Sequence, residues 1–298
     1  MPTGRRDATS PLISVEALAP RIGDPDLVLV DVRWYLGRPG DGRAAYEAGH
    51  LPGAVFLDLD GDLADPAGFG APGRHPLPTP AAFAEIVRRI GVRDGSTVVG
   101  YDDAGGWVAA RLWWMLESLG FAGAVVLDGG IGAWTSAGHG LTTVIPAKVS
   151  APPRGSLALR GAWRGVVERD DLRARLGSVT LLDARAAARY RGEIEPIDPV
   201  TGHIPTALSA PWDGNLGADG RLLPADALRE RFAALGAADT ARAPVVVSCG
   251  SGTSACHHSL AMRVAGLPDP ILYVGSYSDW SRSGYPVATG PEPGDPPG

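Results

Sequence analysis

Cysteine is nearly absent: Cys249 and Cys256 are the only two in 298 residues. Two are too few for a disulfide framework, and neither has the companions that a cysteine-rich metal site needs. Thiol chemistry or burial is what remains for each. No Lys/Arg-rich tract occurs and the formal net charge is a modest -6, so there is no electrostatic footprint of a nucleic-acid binder or of a basic membrane patch. No stretch of about 18 apolar residues runs together. The opening MPTGRRDATS has two arginines with no apolar segment behind them, unlike a secretory signal. A cytoplasmic protein with small molecules or thiols as partners is expected. A further absence removes phosphate-ester chemistry. A C-x5-R phosphatase loop forks an arginine onto phosphate oxygens, and Ala255 stands where that arginine would be.

What is present fits a soluble globular chain with many turns: 45% hydrophobic and 20% charged residues, 41 Gly and 27 Pro. At roughly 150 residues per domain the length suggests two units. The sequence repeats itself once. LVLVDVRWYLG, YEAGHLPGAVF, STVVGYDDAGG and VVLDGGIGAW in the first half return, in the same order, as VTLLDARAAARYRG, VTGHIPTALSA, APVVVSCGSGT and ILYVGSYSDW. Each copy has two apolar runs (27–32 and 97–100; 179–182 and 244–248) bounded by turn residues, as buried parallel strands are. Helix-like segments at 80–90 and 225–235 lie between them. The expected class is α/β, two similar domains, each a mostly parallel sheet flanked by helices. The boundaries read as 1–145, a Pro-containing linker at 146–160, a second domain at 161–290 and a flexible Pro/Gly tail at 291–298.

Features common to both copies are read as structural and features of one copy as functional. Asp31/Arg33 and Asp183/Arg185 form a D-x-R at each first strand end, where the side chains share a face and can pair. His50 and His203, in GHLPGA and GHIPTA, are read as holding loop backbone. The copies diverge at the central loop. Asp102, followed by Asp103, stands in the first copy where Cys249 stands in the second. The aspartates are read as polar loop or cap residues, and only the second copy can do thiol chemistry.

Cys249 follows a strand and precedes the loop GSG and a helix-like run from about Thr253. Such a loop aims backbone N–H groups at its mouth, which favours a thiolate or a persulfide anion. Gly250 and Gly252 permit the turn and leave room for substrate. Cys256 shares an i, i+4, i+8 stripe with Leu260 and Val264 and is read as packing. His257 and His258 follow the cysteine on the same helix and are read as solvent-facing or packing residues rather than a catalytic base.

Together VDVRW, AGHLPGAVFLDLD, RHPLP, LDGGIGAW, RYRG, TGHIPTA, CGSG and YVGSYSDW resemble the tandem-domain rhodanese and mercaptopyruvate sulfurtransferase family over nearly the whole chain. The resemblance implies a double rhodanese fold with an inactive first domain. It also implies a cysteine that cycles between thiol and persulfide, with neither a metal nor an organic cofactor. A small anionic donor, thiosulfate or 3-mercaptopyruvate, would give sulfur to cyanide or a thiol. CGSG resembles the mercaptopyruvate branch, with Thr253 and Ser254 departing from its commoner CGSGVTA. Matching that branch's motifs, Ser251, His75 and Asp60 would form a proton relay and Arg189 would bind the substrate carboxylate. The branch's second arginine falls at Ile197, and Arg191 is the neighbour that could compensate. The alternative is a non-catalytic rhodanese-like module that senses redox state or docks a partner, for which Cys249 would be unnecessary.

Overall fold

The structure is a computed structural model that describes residues 10–65, 73–146, 155–157, 159 and 161–297. Most of the 146–160 linker therefore lies outside the described residues. The first half contains strands β1 (Leu12–Ile13), β2 (Leu27–Asp31), β3 (Val55–Phe56), β4 (Thr97–Tyr101) and β5 (Ala124–Leu127). Around them lie helices α1 (Val15–Leu18), α2 (Asp41–Ala48), α3 (Pro80–Arg89), α4 (Ala109–Ser118) and α5 (Gly130–Ser136). The second half contains β6 (Val166–Val167), β7 (Thr180–Asp183), β8 (Leu208–Ser209), β9 (Val245–Ser248) and β10 (Ile271–Tyr273). Its helices are α6 (Arg169–Arg175), α7 (Ala187–Tyr190), α8 (Ala225–Ala234), α9 (Ala255–Val264) and α10 (Ser276–Trp280).

Each half builds one five-stranded parallel sheet, in the orders β1-β5-β4-β2-β3 and β6-β10-β9-β7-β8. The two orders are the same once corresponding strands are matched, so the repeat in the sequence is a repeat of topology. The central strands read as unbroken apolar runs because helices cover both sheet faces; all four residues of β9 are buried. Helices α4 and α9 pack against each other across the domain boundary. Both are buried nearly all round, as a helix between two layers must be. A single apolar cluster runs from Leu112 and Leu116 through Leu260 and Ala261.

The shared features are structural. Arg33 forks onto Asp31 (NH2 to Oδ2 2.7 Å) and donates to Gly49 O at 2.7 Å. Arg185 repeats this with Asp183 and Gly202 O, again at 2.7 Å. Each pair ties its first long strand to the glycine before the histidine. His50 bridges Tyr46 O and Val144 O, and His203 bridges Tyr190 O and Glu292 O. The last contact bears on the tail. Glu292 and Pro293 run back along the second domain, where Pro293 O accepts from Thr206 N at 2.7 Å. The tail's backbone carbonyls find donors, which a reading of its composition could not supply.

Candidate active site

Strand β9 ends at Ser248 and the chain turns at once, placing Cys249 beneath the start of α9. The Sγ atom receives Gly252 N–H at 3.1 Å and Ser251 N–H at 3.4 Å. Gly252 has φ +77, and a Cβ there would lie 2.4 Å from Val274 O, so both the turn and the close approach require glycine. The turn is braced from below by α10. Tyr277 N and Ser278 N donate to Cys249 O and Gly250 O, each at 2.9 Å. Ser276 Oγ accepts from Cys249 N at 3.0 Å. Ser276 itself has φ 51, a left-handed conformation that a non-glycine residue holds only where its surroundings enforce it. Cys249 is 2% exposed and lies at the floor of a cleft of about 300 Å³. Both domains line this cleft, Trp34 and Trp107 from the first and Trp212 from the second.

The first-domain residues expected at the site reach it. His75 Nδ1 is 2.7 Å from Ser251 Oγ and its Nε2 is 3.0 Å from Asp60 Oδ1. A carboxylate only accepts, so Nε2 carries the proton and Nδ1 accepts from the serine hydroxyl. Trp34 Nε1 donates to the other Asp60 oxygen at 2.8 Å, fixing the carboxylate. Burial pushes the His75 pKa below its ordinary value despite Asp60. The bonds from His75 and Trp34 hold Asp60 below the usual carboxylate range. The pair is thus a neutral imidazole beside a carboxylate. Thr253 Oγ1 is 3.4 Å from His75 Nδ1, and Ser254 lines the cleft.

Arg189 borders the cleft, held by Glu195 (NH2 to Oε1 2.6 Å) and Asp198 (3.3 Å). Arg191 does not reach the cleft: it forks onto Glu193 at the surface, at 2.6 and 2.9 Å. Arg189 lies in α7 and Arg191 caps it. Two residues of helix turn a side chain by about 200°, so the arginines point apart. Ile197 lines the cleft without a charge.

Helix α9 explains the remaining candidates. Cys256 is fully buried, donates to Gly252 O at 3.2 Å and has its thiol pushed up to about 12 by burial, so it stays protonated. His257 and His258 are buried, not solvent-facing. Asn215 Nδ2 donates to both Nδ1 atoms (3.1 and 3.0 Å), and the Nε2 atoms donate to Gly105 O and Ala210 O. Desolvation lowers their pKa values to about 4 and about 3. Asp102, the first-domain counterpart of Cys249, accepts from four backbone N–H groups (Ala104, Gly106, Val108 and Ala109) at 2.8–3.1 Å.

Two arginines escaped sequence reasoning. Arg111, fully buried on α4, donates to Gly252 O (3.0 Å), His75 O (2.9 Å) and Leu63 O (3.3 Å), joining the cysteine loop to the histidine segment. Arg74 lines the cleft beside His75. Arg111 lay in an apolar ARLWW run and Arg74 next to a more conspicuous histidine, so neither gave a signal without the fold. Among the described residues no cluster of His, Cys, Asp and Glu could hold a metal, and no helix is long and apolar enough to cross a membrane.

The rhodanese-like domain family matches residues 14–137 and again 168–283. A Pseudomonas aeruginosa protein named "Probable 3-mercaptopyruvate sulfurtransferase" is 45% identical over 95% of this chain and 99% of its own. A Mycobacterium tuberculosis protein named "Putative thiosulfate sulfurtransferase SseB" is 44% identical over 91% of this chain and 93% of its own. Among solved structures, SseA from Escherichia coli, a 3-mercaptopyruvate sulfurtransferase by its title, superposes with a TM-score of 0.77 at 32% identity. It covers 91% of this chain and 100% of its own.

Proposed function

The chain belongs to the tandem-domain rhodanese and 3-mercaptopyruvate sulfurtransferase family and is a sulfurtransferase, and we propose that it carries the sulfur as a persulfide on Cys249. The observation that carries this reading is the pair of loop N–H groups on Sγ at the floor of the cleft. They would stabilise the thiolate before transfer and the persulfide anion after it. The thiolate attacks the donor's outer sulfur, forming a sulfur–sulfur bond while that sulfur's bond to the rest of the donor breaks. From thiosulfate the leaving group is sulfite. From 3-mercaptopyruvate it is an enolate, which must gain a proton on carbon. The proton that the donor thiol loses balances this need: Ser251 and His75 would take it up and return it to carbon as pyruvate forms. Cyanide or a thiol then removes the outer sulfur and restores the thiolate.

The Asp60–His75–Ser251 chain favours 3-mercaptopyruvate as the donor, because only that reaction has a carbon to protonate. The first domain is proposed to carry no sulfur, since Asp102 occupies the corresponding loop. Intact-mass measurement after mixing with each donor tests this. We expect one added sulfur atom that cyanide removes and that Cys249→Ala never gains. Sulfur retained by Cys249→Ala would overturn the assignment.

A further inference from the structure

Three arginines line the cleft, Arg74, Arg185 and Arg189, and they pair with the buried acids Asp183, Glu195 and Asp198. Asp198 is the hub, meeting Arg74 NH1 at 2.9 Å, Arg189 NH2 at 3.3 Å and Arg282 NH1 at 3.0 Å. Two of these arginines face the bare backbone of the residue after Cys249. A Cβ on Gly250 would lie 3.1 Å from Arg74 NH2 and 3.5 Å from Arg189 NH1. Arg74 Nε is buried with no hydrogen-bond partner, a state that is costly unless a ligand supplies the acceptor. The Arg74 backbone is fixed in place by its N–H bond to Ser278 Oγ, 2.9 Å, across the domain boundary.

We propose that Arg74 of the first domain and Arg189 of the second form a two-guanidinium anchor for the carboxylate or sulfonate end of the sulfur donor. The anchor supplies, from the first domain, the second arginine that the sequence lacks at Ile197. Asp198 orients both guanidiniums, meeting each through a different carboxylate oxygen. Paired guanidiniums recognise a planar carboxylate through parallel bonds, which would hold the donor with its sulfur toward Sγ. This deepens the sulfurtransferase reading and rests on it.

Arg74→Gln and Arg74→Lys test the anchor through the rate of persulfide formation against donor concentration. With Arg74→Gln we expect the half-saturating concentration of 3-mercaptopyruvate to rise about 10- to 100-fold, the loss of one charge-assisted contact, with a far smaller change in the maximal rate. Arg74→Lys, which keeps the charge but not the fork, should fall between. A second readout needs no turnover: alkylation of Cys249 by anionic iodoacetate relative to neutral iodoacetamide should drop in Arg74→Gln. Should Arg74→Gln fail to fold, Arg74→Lys carries the same comparison. Unchanged half-saturation together with an unchanged alkylation ratio overturns the anchor. Failure of the native protein to accept sulfur from either donor overturns the parent reading instead, and the alkylation ratio still decides the anchor.

Discussion

Replacing His75 with glutamine should separate the two donors. The imidazole bonds Ser251 Oγ at 2.7 Å and Asp60 at 3.0 Å, the geometry required of a proton carrier. A positioned acid–base group contributes about 10²- to 10⁴-fold, or about 3 to 5 kcal/mol of barrier. With 3-mercaptopyruvate the whole of that is at stake, because the enolate stays unprotonated without it. With thiosulfate, sulfite leaves with its electron pair and no carbon needs a proton. The loss is then that of one hydrogen bond to Ser251, about 1 kcal/mol and under about ten-fold. Rapid mixing followed by intact-mass detection of the persulfide reads both rates in one preparation, and a thermal melt confirms the fold. The pH profile gives an independent check. The relay works with neutral His75, and burial lowers its pKa. The 3-mercaptopyruvate rate should therefore hold through neutral pH and fall only on the acid side of the ordinary imidazole range. That limb should vanish in His75→Gln. Equal losses with the two donors would refute the relay and leave His75 as an interdomain strut.

Gly252→Ala would drive a Cβ to within 2.4 Å of Val274 O and strain a backbone at φ +77. Displacing this N–H from Sγ should slow persulfide formation at least about ten-fold with both donors, unlike the donor-selective loss at His75. Arg111→Met strips the donor from three buried carbonyls, Gly252 O, His75 O and Leu63 O. At about 1–3 kcal/mol for each unsatisfied group, the denaturant midpoint should fall clearly and Cys249 alkylation should slow. A midpoint like that of the native protein would remove Arg111 as a brace. His257 and His258 resist protonation in the fold, with pKa values of about 4 and about 3 against 6.5 unperturbed. The unfolded chain binds more protons below about 6.5, so stability drops as pH falls from there toward about 4, by up to about 1.4 kcal/mol per histidine per pH unit. Melting curves across that interval measure the slope, which His258→Gln should make shallower.

The two-domain α/β plan was legible because each copy has the same punctuation: an apolar run, D-x-R, a GH-[LI]-P turn and a second apolar run. Those local patterns match local structures. Cys249 was legible for the same reason, since strand, cysteine, glycine-rich loop and helix are contiguous. What escaped depends on side-chain direction and on the meeting of distant segments. Arg191 looked available because it is a close sequence neighbour of Arg189, while the short helix α7 turns it to the surface beside Glu193. Arg74 and Arg111 gave no pattern at all, because their partners are distant in sequence: Asp198 and Ser278 for Arg74, and Gly252, His75 and Leu63 for Arg111.

Asp102 and Cys249 show how two copies of one loop can differ in function by one side chain. Both residues follow the central strand of their sheet and both are met by backbone N–H groups, four on the Asp102 carboxylate and two on Sγ. The loop is a cradle for an anion in either case. In the first domain the carboxylate is built in and its two oxygens take all four N–H bonds, so the cradle is filled by the chain itself. In the second the N–H groups meet Cys249 Sγ, the atom proposed to take on sulfur. The saturated loop leaves the first domain free to serve as a wall, supplying Asp60, His75, Arg74 and Arg111 to its neighbour. Placing a cysteine at Asp102 would not create a second sulfur site. Its four N–H groups are spaced for two carboxylate oxygens, two on each. We expect Asp102→Cys to lose stability and to gain no cyanide-labile sulfur in the Cys249→Ala background. A persulfide there would show that the cradle alone suffices for transfer.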